Sequence, residues 1–238
     1  GSARPAWGAV GLGQGVVRGF VGRGGGELRS QRERTRRADE TWLLGSAVTP
    51  RVTVLAPAYN EASTIGESVR ALLTLSYPNL EIVLINDGST DDTLGVLQRQ
   101  FDLVAIHPIV RRQVPSEPLR GLYRSRDQPG LIVLDKENGG KADSLNAGLN
   151  CATGELLCAI DADTLIEPQA FLRIVRPFLR RDDVVAVGAT IRVANGSTVR
   201  SGRVVNPRVP RHALAGVQAV EYRRAFLFGR LGWNRLGG

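Results

Sequence analysis

Glu81-Ile82-Val83-Leu84-Ile85-Asn86-Asp87-Gly88-Ser89 is the stretch that decides how this chain folds. A short β-branched and aliphatic run that stops at Asn, Asp, Gly and Ser predicts a buried strand closed by a turn. The same alternation recurs on both sides. Val52–Ala56 predicts an earlier strand ending at Pro57, and Ile65, Val69, Leu72 and Leu73 stand at helical spacing within 61–75, with Ser63 or Asn60 as the cap. Residues 90–99 predict a second helix, Leu103–Ile106 and Leu131–Leu134 further strands, and 138–150 a helix. Glu155–Ile160 predicts a buried strand, 167–180 a helix and 184–193 a strand. Residues 108–130, with four prolines and five arginines, read as a long loop. Strands alternating with helices imply an α/β fold, a Rossmann-like and mostly parallel sheet with helices on both faces. Ligands of such sheets sit beyond the carboxyl ends of the strands.

Composition narrows the classes. In 238 residues, 42% are apolar and 23% charged, enough for a core and far from the disordered regime. No stretch is long and apolar enough to span a bilayer, and neither collagen nor coiled-coil repeats occur. Lys and Arg number 31 against 23 acids, so the net charge of +8 favours anionic partners. Cys151 and Cys158 match neither a zinc spacing nor a disulfide framework, and read as core thiols. Residues 1–50 differ from the rest: nine of the nineteen residues from Gly8 to Gly26 are glycine, and a basic run follows. Such glycine density disfavours regular structure, so the chain divides into a flexible Gly/Arg-rich segment, 1–50, and a folded domain, 51–238. Gly11-Leu12-Gly13-Gln14-Gly15-Val16 fails the dinucleotide fingerprint, because Val16 replaces the last glycine and no strand is expected before it.

Four polar clusters stand where the topology puts one crevice: Pro57-Ala58-Tyr59-Asn60-Glu61, Asn86 to Asp91, Asn138-Gly139-Gly140-Lys141-Ala142-Asp143, and Asp161-Ala162-Asp163. Asp161 and Asp163, at the end of an apolar strand, suit a hard cation such as Mg²⁺ or Mn²⁺ shared with a diphosphate, or else form a solvated turn. Asp87 is placed either to accept a hydrogen bond from a nucleobase or ribose, or to cap the next helix. Tyr59 offers a ring for stacking on a base, or a lid on the core. Gly139-Gly140 offers backbone N–H groups at a helix start and Lys141 a point charge for phosphate; the alternative is helix-start chemistry with a surface lysine.

Taken in order, these clusters resemble the inverting family 2 glycosyltransferases with a GT-A fold, and most of all the membrane-bound synthases of poly-N-acetylglucosamine, hyaluronan, chitin and cellulose type. The resemblance covers about Arg51–Gly238. It implies a nucleotide sugar, a UDP-sugar, as donor, a glycan as acceptor, and Mg²⁺ or Mn²⁺ as cofactor. It implies that Ala58, Tyr59 and Glu61 line the uridine pocket and that Asp87 contacts uracil. By the same likeness Lys141 lies near the phosphates, Asp161 meets ribose or metal, and Asp163 binds the metal. Asn86 stands where many members carry a first Asp, and Asn is also frequent there.

Inverting transfer needs a general base for the acceptor hydroxyl. The family places it in a later Glu-Asp motif followed by Gln-x-x-Arg-Trp, and neither motif occurs here; no carboxylate follows Glu221. The expectation is therefore a donor-binding part, incomplete at its C-terminus, of a longer enzyme. That parent would sit at the cytoplasmic face of the plasma membrane, while this piece would be soluble and inactive alone. Residues 213–229, apolar with flanking arginines, read as a helix for the sheet or for an acidic bilayer face. Residues 194–211 read as an exposed hairpin or loop. Two alternatives stay open: a basic nucleic-acid-binding module, disfavoured because only 5% of residues are aromatic, and a noncatalytic nucleotide-sugar-binding domain.

Overall fold

The computed structural model describes residues 8–12, 49–107, 113–162, 164–181, 183–189, 198–200 and 203–206. Gly8–Leu12 (β1), Val52–Ala58 (β2), Leu80–Asp87 (β3), Leu103–Ala105 (β4), Leu119–Ser125 (β5), Leu131–Lys136 (β6) and Leu156–Ile160 (β7) join one sheet in the order β1-β7-β2-β3-β6-β5-β4. The run from β1 to β6 is parallel, and β5 and β4 continue it antiparallel. Thr198–Arg200 (β8) and Arg203–Asn206 (β9) pair antiparallel as a separate hairpin. This agrees with the hairpin reading of 194–211.

The period of two along each strand sorts the apolar side chains onto two faces. Val52, Val54, Ala56 and Ala58 of β2 join Ile82 and Leu84 of β3, and Leu131 and Val133 of β6, in one buried cluster. The helices Ile65–Leu73 (α1), Thr93–Gln100 (α2) and Ala170–Ile174 (α4) contribute to it. Leu55, Val83, Ile85, Ile132 and Leu134 face the other way, against Leu145 and Cys151 of the helix Gly140–Cys151 (α3). The sheet is thus covered on both faces, as expected. Ile65, Val69 and Leu72, spaced four and three apart, are the buried stripe of α1. Each contributes roughly 1.5–3 kcal/mol by leaving water.

Several boundaries differ from the expectation. β2 runs through Pro57 to Ala58, because its register with β7 ends at Leu55 and an absent N–H at Pro57 forfeits nothing on that side. Within the expected loop 108–130 lies β5. Its Arg120 and Arg124 are exposed while Leu119, Leu122 and Tyr123 pack against the cores, and pairing with β6 overrides the polar composition. The expected helix 167–180 is two, α4 and Arg176–Arg180 (α5), broken at Val175. Pro177 has no N–H for the carbonyl four residues back. In the expected strand 184–193, the described residues 184–189 hold a single bridge residue, Ala186, and Val185 is 67% exposed.

At the edge, Gly8–Leu12 forms a strand despite its glycines, because β7 supplies the ladder partner. A strand therefore does lead into Gly11–Val16, contrary to expectation; residues 13–48 otherwise lie outside the described residues, as do 207–238 with the expected helix 213–229. Cys151 and Cys158 are free thiols, and burial pushes them up, to about 11 for Cys151 with Glu81 adding its charge, and to about 12 for Cys158. Cys158 is buried in the core, and Cys151 is half-buried at the end of the helix that covers the sheet.

Candidate functional site

Because β2, β3, β6 and β7 are parallel, their carboxyl ends share one edge of the sheet. The chain steps outward from β2 to β3 and β6, then returns to the opposite side of β2 as β7. This reversal is the switch point at which doubly wound sheets open a crevice. Tyr59, Asp87, Lys141 and Asp161 all follow from strand ends at this edge, so the clusters seen in the sequence do converge.

The first two clusters lock together. Asn60 takes a left-handed backbone conformation (φ 54), which Asn tolerates. Its Oδ1 accepts the Thr90 N–H at 2.8 Å, and its own N–H donates to Ser89 Oγ at 2.9 Å. The Glu61 N–H donates to Thr93 Oγ1 at 2.9 Å and the Ala62 N–H to Asp91 Oδ2 at 3.0 Å. Between the two turns Ala58 is buried, whereas Tyr59 is 50% exposed. The lid reading of Tyr59 is therefore replaced by a ring open to solvent at the crevice.

Asp87 is 4% exposed and intensely used. Its Oδ1 accepts Lys136 Nζ at 2.7 Å and the Gly139 N–H at 3.0 Å, and its Oδ2 the Gly140 N–H at 2.8 Å. Burial pushes this carboxyl up, but the bonds from Lys136, Gly139 and Ser144 and the Lys136 charge outweigh it and hold it below the usual range. Here the expectation for Gly139-Gly140 is corrected. Their N–H groups serve no external phosphate, because Asp87 already fills the anion position at the start of α3. Nor does Asp87 cap the helix that follows it, α2, whose N-cap is Asp92. A carboxylate has about four acceptor positions. With Asn138 Nδ2 3.5 Å from Oδ2 and the Ser144 bond beside the three close ones, these positions are taken up within the fold.

Gly88 (φ +64) lets this packing happen, since a Cβ there would stand 2.6 Å from the Asn138 nitrogen. Lys136 was missed by sequence reading. It is wholly buried, with Nζ 2.7 Å from Asp87, 2.6 Å from Asp143 Oδ2 and 2.5 Å from the Glu137 carbonyl. Burial pulls the ammonium down, but bonds to Asp143 and Asp87 hold it above its ordinary value. Asn86, also buried, donates from Nδ2 to Asp135 Oδ1 at 2.7 Å.

Across the crevice, Lys141 Nζ is ion-paired with Asp161 Oδ1. Asp161 follows β7 directly, and its carbonyl accepts the Thr164 N–H at 2.9 Å. Asp163 itself lies outside the described residues. Among the described residues no group of three His, Cys, Asp or Glu side chains gathers into a cage. The donor chemistry suits instead a hard cation held by one or two carboxylates and completed by a ligand's phosphates, the usual manner of Mg²⁺. No helix among the described residues is long and apolar enough to cross a membrane.

A doubly wound α/β sheet with charges of both signs at its switch point is what this geometry defines. The model of the family "Glycosyl transferase family 2" matches residues 53–227, and the chain belongs to that family, with its GT-A arrangement of the sheet. An uncharacterized glycosyltransferase of Haemophilus influenzae is 32% identical over 60% of this chain and 38% of its own length. A poly-beta-1,6-N-acetyl-D-glucosamine synthase of Staphylococcus epidermidis is 28% identical over 62% of this chain and 30% of its own length. The chain thus matches only about a third of these relatives. Among solved structures, a mannosyltransferase of Pyrobaculum calidifontis with GDP-Man and Mn²⁺ is similar at 25% identity, TM-score 0.42, covering 62% of this chain and 40% of that one. TarS of S. aureus with UDP follows at 22% identity, TM-score 0.39, covering 55% and 32%.

Proposed function

We propose that this chain is the donor-binding part of a metal-dependent inverting glycosyltransferase that moves a sugar from a nucleotide sugar, a UDP-sugar, to a glycan acceptor in polysaccharide synthesis. The observation that carries the reading is the Lys141–Asp161 pair at the switch point. A cation and a hard anion face each other there, as a diphosphate and its divalent metal require. Tyr59 stacks on the base beside Ala58 and Glu61, and Asp87 contacts uracil. Lys141 turns to the phosphates, and Asp161 with Asp163 holds Mg²⁺ or Mn²⁺. When bound, the metal neutralises the diphosphate that leaves as the sugar–oxygen bond breaks. The acceptor oxygen forms the new bond, and its proton passes to a base that none of these residues supplies. In the same reading the whole enzyme works at the cytoplasmic face of the plasma membrane. The net charge and the Gly/Arg-rich start are all that favour the nucleic-acid alternative, and the few aromatic residues count against it.

Calorimetry of UDP with Mn²⁺ and with chelator checks the donor site. Metal-dependent binding by the chain, lost in Asp163→Ala and weakened about tenfold or more in Lys141→Met, is the expected result. Metal-independent binding, or binding that survives Asp163→Ala, overturns the metal assignment. No binding of any nucleoside diphosphate overturns the function.

A further inference from the structure

We propose that Lys136 is a positioning residue of the donor site, holding Asp87 ionised and in place so that Asp87 fixes the turn leading into Lys141. The proposal rests on the donor reading only for its effect on nucleotide affinity.

Lys136 closes β6 directly opposite Asp87, its register partner at the end of β3. Its ammonium donates to Asp87 and the Glu137 carbonyl and is ion-paired with Asp143, and its side chain is fully out of water. A buried ammonium without partners would be strongly unfavourable. Here it sits between two carboxylates that would otherwise repel each other, and both act as struts. Asp87 receives the Gly139 and Gly140 amides, and its backbone carbonyl accepts Asn138 Nδ2 at 2.8 Å. Asp143 accepts the Glu117 N–H at 2.9 Å, tying the segment before β5 to α3. One ammonium therefore joins β3, β6, the 138–140 turn, α3 and the segment before β5. Lys141 follows immediately, so displacement of Gly140 moves the Lys141–Asp161 pair.

The charged groups around Asp87 are few. From β6 come Lys136 and, turned away to Asn86, Asp135; from α3 comes Asp143. An uncharged side chain at 136 leaves Asp87 facing Asp143 with no cation between them, and protonation of one carboxyl becomes the relief.

Three variants test this: Lys136→Met, Lys136→Arg, and Lys136→Met combined with Asp143→Asn, which removes one charge of each sign. Amide hydrogen exchange at Gly139 and Gly140 reads the turn without ligand. UDP affinity with Mn²⁺ from pH 5 to pH 8 reads the site. In Lys136→Met, exchange at both glycines is expected to quicken about tenfold or more, and affinity to fall by about tenfold to a hundredfold, the range for removing an outer partner of a functional group. The loss should deepen toward low pH as Asp87 takes up a proton. The double variant should recover part of both effects, and Lys136→Arg part of the affinity.

A folded Lys136→Met with wild-type exchange at both glycines and a wild-type pH profile overturns the proposal. If that variant does not fold, the double variant is judged by the same two readouts. If the unaltered chain binds no nucleoside diphosphate, the donor reading falls and the exchange rates alone decide the role of Lys136.

Discussion

Asn86 and Asp87 are adjacent in sequence yet have separate charge partners. Asn86 donates to Asp135 while Asp87 accepts from Lys136, so each carboxylate in this small interior faces a donor. Replacing Asn86 by Asp probes this arrangement. In this chain that change would put a second carboxylate 2.7 Å from Asp135. Asn86→Asp is therefore expected to destabilise by on the order of 3 kcal/mol, through a buried pair of like charges. Asp135→Asn added to it restores a donor–acceptor pair and should return most of the loss. Chemical denaturation of the single and double variants measures this; equal stability of Asn86→Asp and the parent would contradict the arrangement. The sequence marks Asp87 as a site residue because it ends an apolar strand before Gly88. It gives no mark to Lys136, since Asp135-Lys136-Glu137 reads as a solvated charge run. Only the register of β6 against β3 buries the lysine.

Among the elements, α3 shows how closely a helix must approach the sheet to deliver its first turn to the crevice. Gly148 faces the second core, and a Cβ there would meet Leu55 Cδ2 at 3.0 Å and Ile85 Cδ1 at 3.1 Å. Gly148→Val is expected to overpack this contact and cost about 1–3 kcal/mol. Gly148→Ala should stay near the parent, because small shifts of two methyl groups are offset by a gain in helix propensity of about 1 kcal/mol. Thermal melts of the two variants check the contrast, and a Val variant as stable as the parent would refute the tight packing. The helices and parallel strands were legible in outline from apolar spacing. The strand β5 was not, because an antiparallel strand near the sheet edge needs few apolar residues and its arginines face solvent. The break between α4 and α5 was signalled by Pro177, whose missing N–H outweighs the apolar spacing around it.

Across the whole molecule, the triad of Lys136, Asp87 and Asp143 links acid and alkaline stability to the same node. Asp87 is held below its ordinary range, so its contribution is present above about pH 4, the unfolded carboxylate value, and is lost as pH falls through the folded value. Lys136 is held above its ordinary value, so its contribution is full below about pH 10.4 and is lost as pH rises through the folded value. Unfolding free energy should be level between these limits as far as this node is concerned, and Lys136→Met should remove the alkaline fall and shrink or reverse the acid one, because a carboxyl raised past its unfolded value is stabilised by protonation. Urea melts across pH measure both; an unchanged acid limb in that variant would break the link.

Local chemistry by itself determined the strands and helices of the parallel core and the four strand-end clusters. Apolar periodicity and turn residues act over a few neighbours, and a parallel sheet places its strand ends together. The family likeness was legible for the same reason, since its motifs are those strand ends. The tertiary structure decided what each polar group faces. It turned the Gly139 and Gly140 amides toward Asp87 instead of a phosphate, set Lys141 against Asp161, and buried Lys136 between two acids. Partners 20 to about 50 residues apart are chosen by strand register and helix placement, and the energy of a charge depends on how much water that packing leaves around it.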